Sequence, residues 1–336
     1  MRILILTEAG TNIGLGHLSR CSALYKEANS RGIDTFLYLY GDYKDRGVFS
    51  GIKFNKINWM TSDFIFNYII NTDTIIIDSY LVSRKIIDLI LSIAHKVVFF
   101  DDYGKFDAFN GIILNPSFSG AIQYKLSNKV LHGEEYIITR FKASPNAEIR
   151  YFVKNVLISL GSAIKKPIVF SIVLALIYQN KELSFTLVTE GGLPVNHDLS
   201  EINNLKISQD VNTFRLAEIY KETDFCIVSL GQSVFDTIYF NVPFLPVLTA
   251  QNQIYNLKSL KIKGLVNEFI DCTINNLNSD INYLFNRSIS YCRRRENFNR
   301  ISSVIDGNGP KRIIDKLIEV NQWNQFWLLV LAIKFH

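Results

Sequence analysis

The amino-acid sequence predicts an α/β protein of two domains, each built on a parallel β-sheet, that face each other across a cleft. Short apolar runs alternate with helical patterns, which is typical of parallel sheets covered on both faces. This alternation begins twice, at Ile3–Leu6 and at Asn155–Leu160. A chain of 336 residues has room for two such domains. Both domains are therefore expected to be Rossmann-like.

The elements follow in order along the chain. Strands are predicted in the first half at Ile3–Leu6, Thr35–Leu39, Thr74–Ile77, Lys96–Phe100 and Gly111–Leu114, with helices at Gly16–Ser30 and Ser83–Ala94. Strands are predicted in the second half at Asn155–Leu160, Leu183–Val188, Leu205–Ser208, Phe225–Ser229 and Phe244–Val247, with helices at Pro167–Tyr178, Thr213–Lys221, Ser233–Phe240 and Lys311–Val320. Arg140–Arg150 is the expected linker. The predicted divisions are 1–145, 146–310, and a closing helix with an apolar tail at 311–336.

Composition and charge restrict the class of function. The chain is 48% hydrophobic and 20% charged, which argues against disorder. Its net charge of +5 comes without a dense basic run, which argues against nucleic acid and suits either a small anionic substrate or an anionic membrane face. The four cysteines form no CxxC pair, which argues against a zinc site or a disulfide framework. The first apolar run has four residues and predicts a strand, not a signal peptide, so we expect a cytoplasmic protein.

The tail carries an uninterrupted apolar run, Phe326–Ile333. This run is too short to span a bilayer. Two interpretations stay open, a helix packed against the body of the protein and a peripheral membrane contact. Nothing in the sequence indicates an oligomeric state.

A glycine-rich loop follows the first predicted strand. It contains Gly14 and Gly16, and His17 comes next, in the first turn of the following helix. Glycines let the backbone approach a ligand closely, and a helix N-terminus favours an anion. The glycine spacing does not fit the dinucleotide-binding fingerprint. His17 is expected to face the cleft and suits a general base; the alternative is that it only caps the helix or loop.

A second motif lies on a predicted strand–turn–helix unit of the second domain. Gly231 makes the turn, and Ser233 with the helix N-terminus can bind phosphate oxygens. Asp236 could hold a ribose diol, or could simply be a favourable acid near the helix start. Asn252 and Gln253 follow the next strand, and their amides suit sugar hydroxyl or acetamido groups.

Acidic residues end two predicted strands of the first domain. Asp78 precedes Ser79 and Tyr80, and Asp101 precedes Asp102. These carboxylates are expected to face the same cleft as His17, where they could orient it or accept sugar hydroxyls. The alternative is capping of a helix or loop. They do not resemble a metal cage, because histidines and a metal-loop spacing are missing.

The segment Gly14–Arg20 resembles the Gly-x-Gly-His-x-x-Arg signature of the PseG/SpsG family. The best-understood members are hydrolases of UDP-2,4-diacetamido-2,4,6-trideoxy-β-L-altropyranose in pseudaminic acid synthesis. They share the two-domain GT-B architecture of glycosyltransferases similar to the one that makes lipid II. The resemblance covers most of the chain. It departs from the family at Asp236, where the family has Glu, and at Gly161–Lys165, where the family has a glycine-rich loop.

The resemblance implies an inverting, metal-independent hydrolase that releases UDP and free sugar without a cofactor. His17 would activate water, Ser233 would bind diphosphate, and Asp236 would bind the ribose. The implied substrate-binding residues are Gly14, Gly16, Arg20, Asp78, Tyr80, Asp101, Asn115, Arg140, Gly161, Gly231, Gln232, Ser233, Asp236, Asn252 and Gln253. Two alternatives stay open, a UDP-sugar-dependent glycosyltransferase on the same scaffold and a non-catalytic nucleotide-sugar-binding protein.

Overall fold

The computed structural model contains two parallel β-sheets, each flanked by helices, and so confirms the predicted fold class. The described residues are 1–11, 13–105, 110–119, 122, 124, 129–142, 145, 146, 148–165, 167–190, 199, 202–273 and 281–319. The predicted apolar tail lies outside them. Within these ranges no helix is both long and apolar enough to cross a membrane.

The first sheet has the strand order β3-β2-β1-β4-β5-β6-β7, and every neighbouring pair is parallel. Its strands are β1 (Arg2–Glu8), β2 (Asp34–Tyr40), β3 (Asn55–Lys56), β4 (Asp73–Asp78), β5 (Lys96–Phe100), β6 (Ile112–Asn115) and β7 (Lys129–His132). Its helices are α1 (Gly16–Ser30), α2 (Ser62–Tyr68) and α3 (Arg84–Ile93). The strand order reverses between β1 and β4, so a crevice opens beyond their carboxyl ends.

The second sheet has the strand order β10-β9-β8-β11-β12-β13, again with parallel pairs. Its strands are β8 (Asn155–Ser159), β9 (Ser184–Thr189), β10 (Leu205–Gln209), β11 (Phe225–Ser229), β12 (Phe244–Leu248) and β13 (Ile270–Asp271). Its helices are α4 (Pro167–Gln179), α5 (Thr213–Glu222), α6 (Gln232–Tyr239), α7 (Ile254–Ile262), α8 (Ile281–Ser288) and α9 (Tyr291–Ile301). The corresponding reversal lies between β8 and β11.

The strands are buried because helices cover both faces of each sheet. Every residue of β4, β5 and β11 is buried, as the apolar runs predict. One core of the first domain packs Ile3 and Ile5 against α1, and the other packs Leu4 and Leu6 against α2 and α3. Alternate residues of β1 therefore serve opposite faces of the sheet.

The chain returns to the first domain after the second sheet. Residues 309–319 are helical, and Ile313, Ile314 and Leu317 lie in the core of the first domain. The Lys96 Nζ donates to the Leu317 carbonyl at 2.7 Å, and Arg31 pairs with Asp315 at 2.5 Å. The expected closing helix thus belongs to the core of the N-terminal domain. The predicted domain boundary at 145/146 stays a prediction.

Candidate active site

A cavity of about 130 Å³ lies between the two domains, beyond the carboxyl ends of both sheets. Its walls come from both halves of the chain. The first domain supplies Ile13, Gly16, His17, Arg20, Tyr80, Asp102, Pro116 and Ser117, and the second supplies Leu230, Gly231, Gln232, Phe235, Asn252, Gln253 and Asn256. Five of these residues were predicted from their own sequence pattern: Gly16, His17, Gly231, Asn252 and Gln253. Arg20, Tyr80 and Gln232 were implied by the resemblance.

His17 is the second residue of α1 and is only 5% exposed. Its Nδ1 lies 2.6 Å from Oδ1 of Asp78, the last residue of β4. The two meet because β1, which leads into α1, pairs directly with β4. A carboxylate on one ring nitrogen fixes the orientation of the imidazole and leaves the other nitrogen for proton transfer.

Asp78 is fully buried and is held by two partners from α1. Besides His17, the Arg20 guanidinium donates to both Asp78 oxygens, from Nε and from Nη2, at 2.6 Å each. Burial alone would raise the pKa of Asp78. The charge of Arg20, then that of His17, and their hydrogen bonds outweigh burial and hold this pKa well below its usual range. Asp78 is therefore an ionised partner for His17 near neutral pH.

Arg20 also binds Asp102, the acid that lines the cavity. Its Nη1 and Nη2 donate to the Asp102 oxygens at 2.9 and 2.8 Å, and the Tyr80 hydroxyl donates to Asp102 at 2.7 Å. The Tyr80 ring packs edge-on against His17, with centroids 4.2 Å apart. Burial, and then the charge of Asp102, raise the pKa of Tyr80 far above its usual value. Tyr80 is thus a hydrogen-bond donor at any working pH.

Glu8 is a functional candidate that sequence reasoning missed. It is the last residue of β1 and is fully buried. Its Oε1 accepts from the Tyr80 N–H at 2.8 Å, and its Oε2 accepts from the Ser79 hydroxyl. The same Oε1 lies 3.9 Å from Nε2 of His17. A buried acid directly before the glycine-rich loop was the signal that could have pointed to it.

The second domain faces His17 with the start of α6. Gly231 is its N-cap residue and has no side chain to satisfy the first N–H groups of the helix. Gln232 donates from Nε2 to the Ile138 carbonyl at 2.8 Å, which ties the helix start to the first domain. The Gln253 Oε1 accepts from the Thr249 N–H at 3.0 Å and leaves its amide nitrogen near Gly231. Such a helix end favours an anion.

Asp236 does not line the cavity. It is 2% exposed, and its Oδ2 lies 3.7 Å from Nη2 of Arg140, while its Oδ1 has no hydrogen-bond partner. Burial raises the pKa of Asp236 to about 6, although Arg140 and then Gln232 oppose the shift. The implied contact of Asp236 with a ribose stays a prediction. So does a substrate role for Arg140.

The structure places four more of the implied residues away from the cavity wall. The carboxylate of Asp101 accepts the N–H groups of Tyr103 and Lys105 at 3.2 and 2.8 Å, so it caps a turn, and the neighbouring Asp102 faces the cleft instead. Asn115 pairs with Tyr124 at 3.0 Å and with Ser117 at 2.5 Å. Gly161, with φ of +55°, begins a 3₁₀ turn, and Ser233 lies one residue inside α6.

A second chamber of about 340 Å³ lies on the other side of the glycine-rich loop. Gly14 contributes to its wall, and a Cβ on Gly14 would lie 3.5 Å from the Ser162 hydroxyl across the cleft. The other lining residues are Gly10, Thr11, Leu15, Asp42, Tyr43, Lys44, Arg46, Ser162, Glu190 and Asp210. Arg46 and Asp210 join the two domains by an ion pair of 3.3 Å. The loop thus contributes to the walls of two chambers between the domains.

In sequence, the chain is only distantly similar to a known protein. No family model matches the chain. Uncharacterized protein MJ1062 of Methanocaldococcus jannaschii is 23% identical over 284 residues, which is 76% of this chain and 56% of that protein. The chain therefore spans about half the length of the curated relative it matches.

Solved structures match nearly the whole chain. MurG of Acinetobacter baumannii aligns with a TM-score of 0.61 at 14% identity, covering 95% of this chain and 99% of MurG. The spinosyn rhamnosyltransferase SpnG with thymidine diphosphate gives 0.63 at 12%, covering 94% and 100%. MnaA of S. aureus with UDP gives 0.61 at 11%, covering 96% and 97%.

The chain has the GT-B fold. These identities show the fold alone, so the closer resemblance to the PseG/SpsG family remains a matter for proposal.

Proposed function

We propose that this chain is an enzyme that transfers the sugar of a UDP-sugar to a hydroxyl group, with His17 accepting the hydroxyl proton. The observation that carries the proposal is the cavity in which His17, held by Asp78, faces the N-terminal end of α6. One wall offers a proton acceptor and the other offers fixed N–H donors for a diphosphate.

The chemistry is a single displacement at the anomeric carbon. The hydroxyl oxygen attacks C1, its O–H bond breaks, and the proton passes to His17. The bond between C1 and the diphosphate oxygen breaks, and its electron pair leaves with UDP, which inverts the anomeric centre. Negative charge grows on the diphosphate as this bond breaks. Preformed N–H donors at Gly231 and Gln232 therefore stabilise the transition state more than the ground state.

Two observations favour an acceptor hydroxyl over water. The second chamber offers room of about 340 Å³ beside the loop that carries His17. Structural neighbours include a rhamnosyltransferase and a forosaminyltransferase, SpnG and SpnP, which are named for transfer to an acceptor. MnaA was solved with UDP and SpnG with thymidine diphosphate, so the nucleotide itself needs testing.

Hydrolysis is a second candidate, and one specific observation favours it. The segment Gly14–Arg20 resembles the signature of UDP-2,4-diacetamido-2,4,6-trideoxy-β-L-altropyranose hydrolases, and its His17 and Arg20 both line the cavity. Water would then take the place of the acceptor hydroxyl, and the rest of the displacement would be unchanged.

Nucleotide binding and product analysis test these proposals. UDP and thymidine diphosphate are titrated calorimetrically, and UDP release from the diacetamido UDP-sugar and from UDP-N-acetylglucosamine is followed by proton NMR. Free sugar appearing with UDP in acceptor-free buffer would assign hydrolysis. UDP release that requires added monosaccharide acceptors, with a new glycoside mass, would assign transfer. A chain that binds neither nucleotide contradicts both.

A further inference from the structure

We infer that Glu8 is a positioning residue that holds the His17 imidazole from its Nε2 side and stabilises the positive charge that His17 gains during transfer. The inference rests on the proposed function, because it assigns a role within the same displacement. The observation that supports the role of Glu8 is geometric. Two buried carboxylates flank one imidazole, Asp78 at Nδ1 and Glu8 at Nε2.

The proton that leaves the attacking hydroxyl must arrive at Nε2. Nδ1 already lies 2.6 Å from Asp78, a hydrogen bond that occupies this nitrogen. Nε2 lies 3.9 Å from Oε1 of Glu8, which is too long for a hydrogen bond in the resting arrangement. Once Nε2 carries the proton, the ring is a cation with a carboxylate on each side.

Glu8 is fixed in this position by its other partners. Its Oε2 accepts from the Ser79 hydroxyl, and its Oε1 accepts from the Tyr80 N–H at 2.8 Å. Both partners follow Asp78 directly in the sequence, so the turn after β4 orients the Glu8 carboxylate. The Glu8 side chain has no exposed area, which keeps it out of contact with the substrate. It therefore acts through His17.

Glu8 differs from the other acids of the site in its ion-pair partner. Arg20 neutralises Asp78 and Asp102 with four hydrogen bonds shorter than 3 Å. The ion-pair contact of Glu8 is with His17. The charge of Glu8 is thus directed at the imidazole, and between two buried side chains a charge at 3.9 Å is weakly screened.

The step balances without a further reactant. The acceptor O–H bond breaks and an N–H bond forms at Nε2 of His17. The new O–C1 bond forms as the bond from C1 to the diphosphate breaks, and that electron pair leaves on UDP. Glu8 gains and loses no proton in this scheme. After UDP departs, His17 returns its proton to solvent through the cavity that it lines.

The test is Glu8→Gln, which keeps the side-chain size and an oxygen acceptor but removes the charge. Initial rates of UDP release are measured with the UDP-sugar that the wild-type enzyme turns over. The expected result is a fall in kcat of about 10- to 100-fold, the scale seen when the partner of a functional histidine is removed. KM for the UDP-sugar should stay close to wild type, and the thermal unfolding midpoint should fall no further than in Ser79→Ala, because both variants disturb the same contact with the Ser79 hydroxyl. Glu8→Asp should recover part of kcat.

Ser79→Ala is the matched control. It removes the hydroxyl that binds Oε2 but leaves the charge of Glu8 beside His17, so its kcat should fall much less than that of Glu8→Gln. A wild-type kcat in Glu8→Gln would overturn the inference. So would equal losses of kcat and of unfolding midpoint in both variants, since Glu8 would then only support the turn. A His17→Ala variant with full activity would instead overturn the proposed function itself.

Discussion

Asp78 binds both His17 and Arg20, and its Oδ1 is shared between them. Its Oδ1 lies 2.6 Å from Nδ1 of His17, and the Arg20 guanidinium reaches both oxygens at 2.6 Å. His17 and Arg20 are one helical turn apart, so they project from the same face of α1. A single carboxylate at the end of β4 thereby orients both His17 and Arg20, which line the cavity.

Replacing Asp78 with Asn should lower both activity and stability. The amide keeps the shape but leaves Arg20 and His17 without their buried countercharge. Breaking a buried ion pair typically costs about 3–5 kcal/mol. Arg20 retains Asp102, so we expect a loss near the lower limit, together with a fall in kcat. Urea unfolding at pH 7 measures the first effect, and an unchanged free energy of unfolding would contradict the structure.

The Asp78 ion pair should also weaken with acid. The pKa of Asp78 is lowered in the folded state, so its stabilisation is present above the unfolded value of about 3.9. That stabilisation is lost as the pH falls through the lower, folded-state value. The difference in unfolding free energy between wild type and Asp78→Asn should therefore shrink below about pH 4. A difference that grows as the pH falls would mean that folding raises the pKa of Asp78 instead of lowering it.

Asp236 should give pH dependence of the opposite sign. Burial raises its pKa to about 6, so the folded state holds a proton that the unfolded state releases near pH 3.9. The contribution of Asp236 to the free energy of unfolding is then fully present below the unfolded pKa and is lost as the pH rises towards 6. Relative to wild type, Asp236→Asn should gain on the order of 2 kcal/mol of unfolding free energy between pH 4.5 and pH 8.

The matched control for that measurement is Asp88→Asn. The Asp88 side chain is 52% exposed and pairs with Arg84 on the surface of α3, so its removal should change the pH profile little. Parallel pH profiles of unfolding free energy for Asp236→Asn and wild type would mean that burial does not raise the pKa of Asp236.

Two glycines of the first loop should respond differently to alanine. At Gly10 a Cβ would lie 1.9 Å from Oδ1 of Asp42, which itself binds the N–H and hydroxyl of Thr11. We expect Gly10→Ala to lower stability by about 1–3 kcal/mol, as overpacking does. A Cβ on Gly16 would meet nothing within 4 Å in the protein, but Gly16 lines the cavity.

Gly16→Ala should therefore fold normally and bind UDP-sugar less tightly. Thermal unfolding of both variants, with calorimetric titration of UDP and of the UDP-sugar, separates the two effects. Normal ligand affinity in Gly16→Ala would place the substrate away from the glycine-rich loop.

Elements with strong periodicity and clear ends were predictable. The bounds of α1, β5 and β11 agree with the sequence-based prediction because apolar runs and a terminal Gly32 mark them. Short or polar elements were missed. β3 has two residues, and α9 is rich in arginine and shows little apolar periodicity for a pattern to detect.

The site was predictable in its components but not in its pairings. His17 and Asp78 each follow a buried strand, yet their contact depends on β1 lying beside β4, an order that the sequence does not state. The choice between Asp101 and Asp102 depends on which of two consecutive side chains turns towards the cleft where β5 ends. Glu8 was missed because the predicted strand ended at Leu6, whereas β1 continues to Glu8 and carries its side chain into the buried site.

The most direct measurement of the central claim is a comparison of His17→Ala with wild type in UDP release and in UDP binding. The account predicts that kcat falls by about 10²- to 10⁴-fold, the usual contribution of a general base, while UDP affinity stays within a few fold. UDP affinity should persist because the proposed diphosphate contacts come from α6, in the other domain, whose first residues line the cavity. Turnover at the wild-type rate would remove His17 from the mechanism and contradict the account.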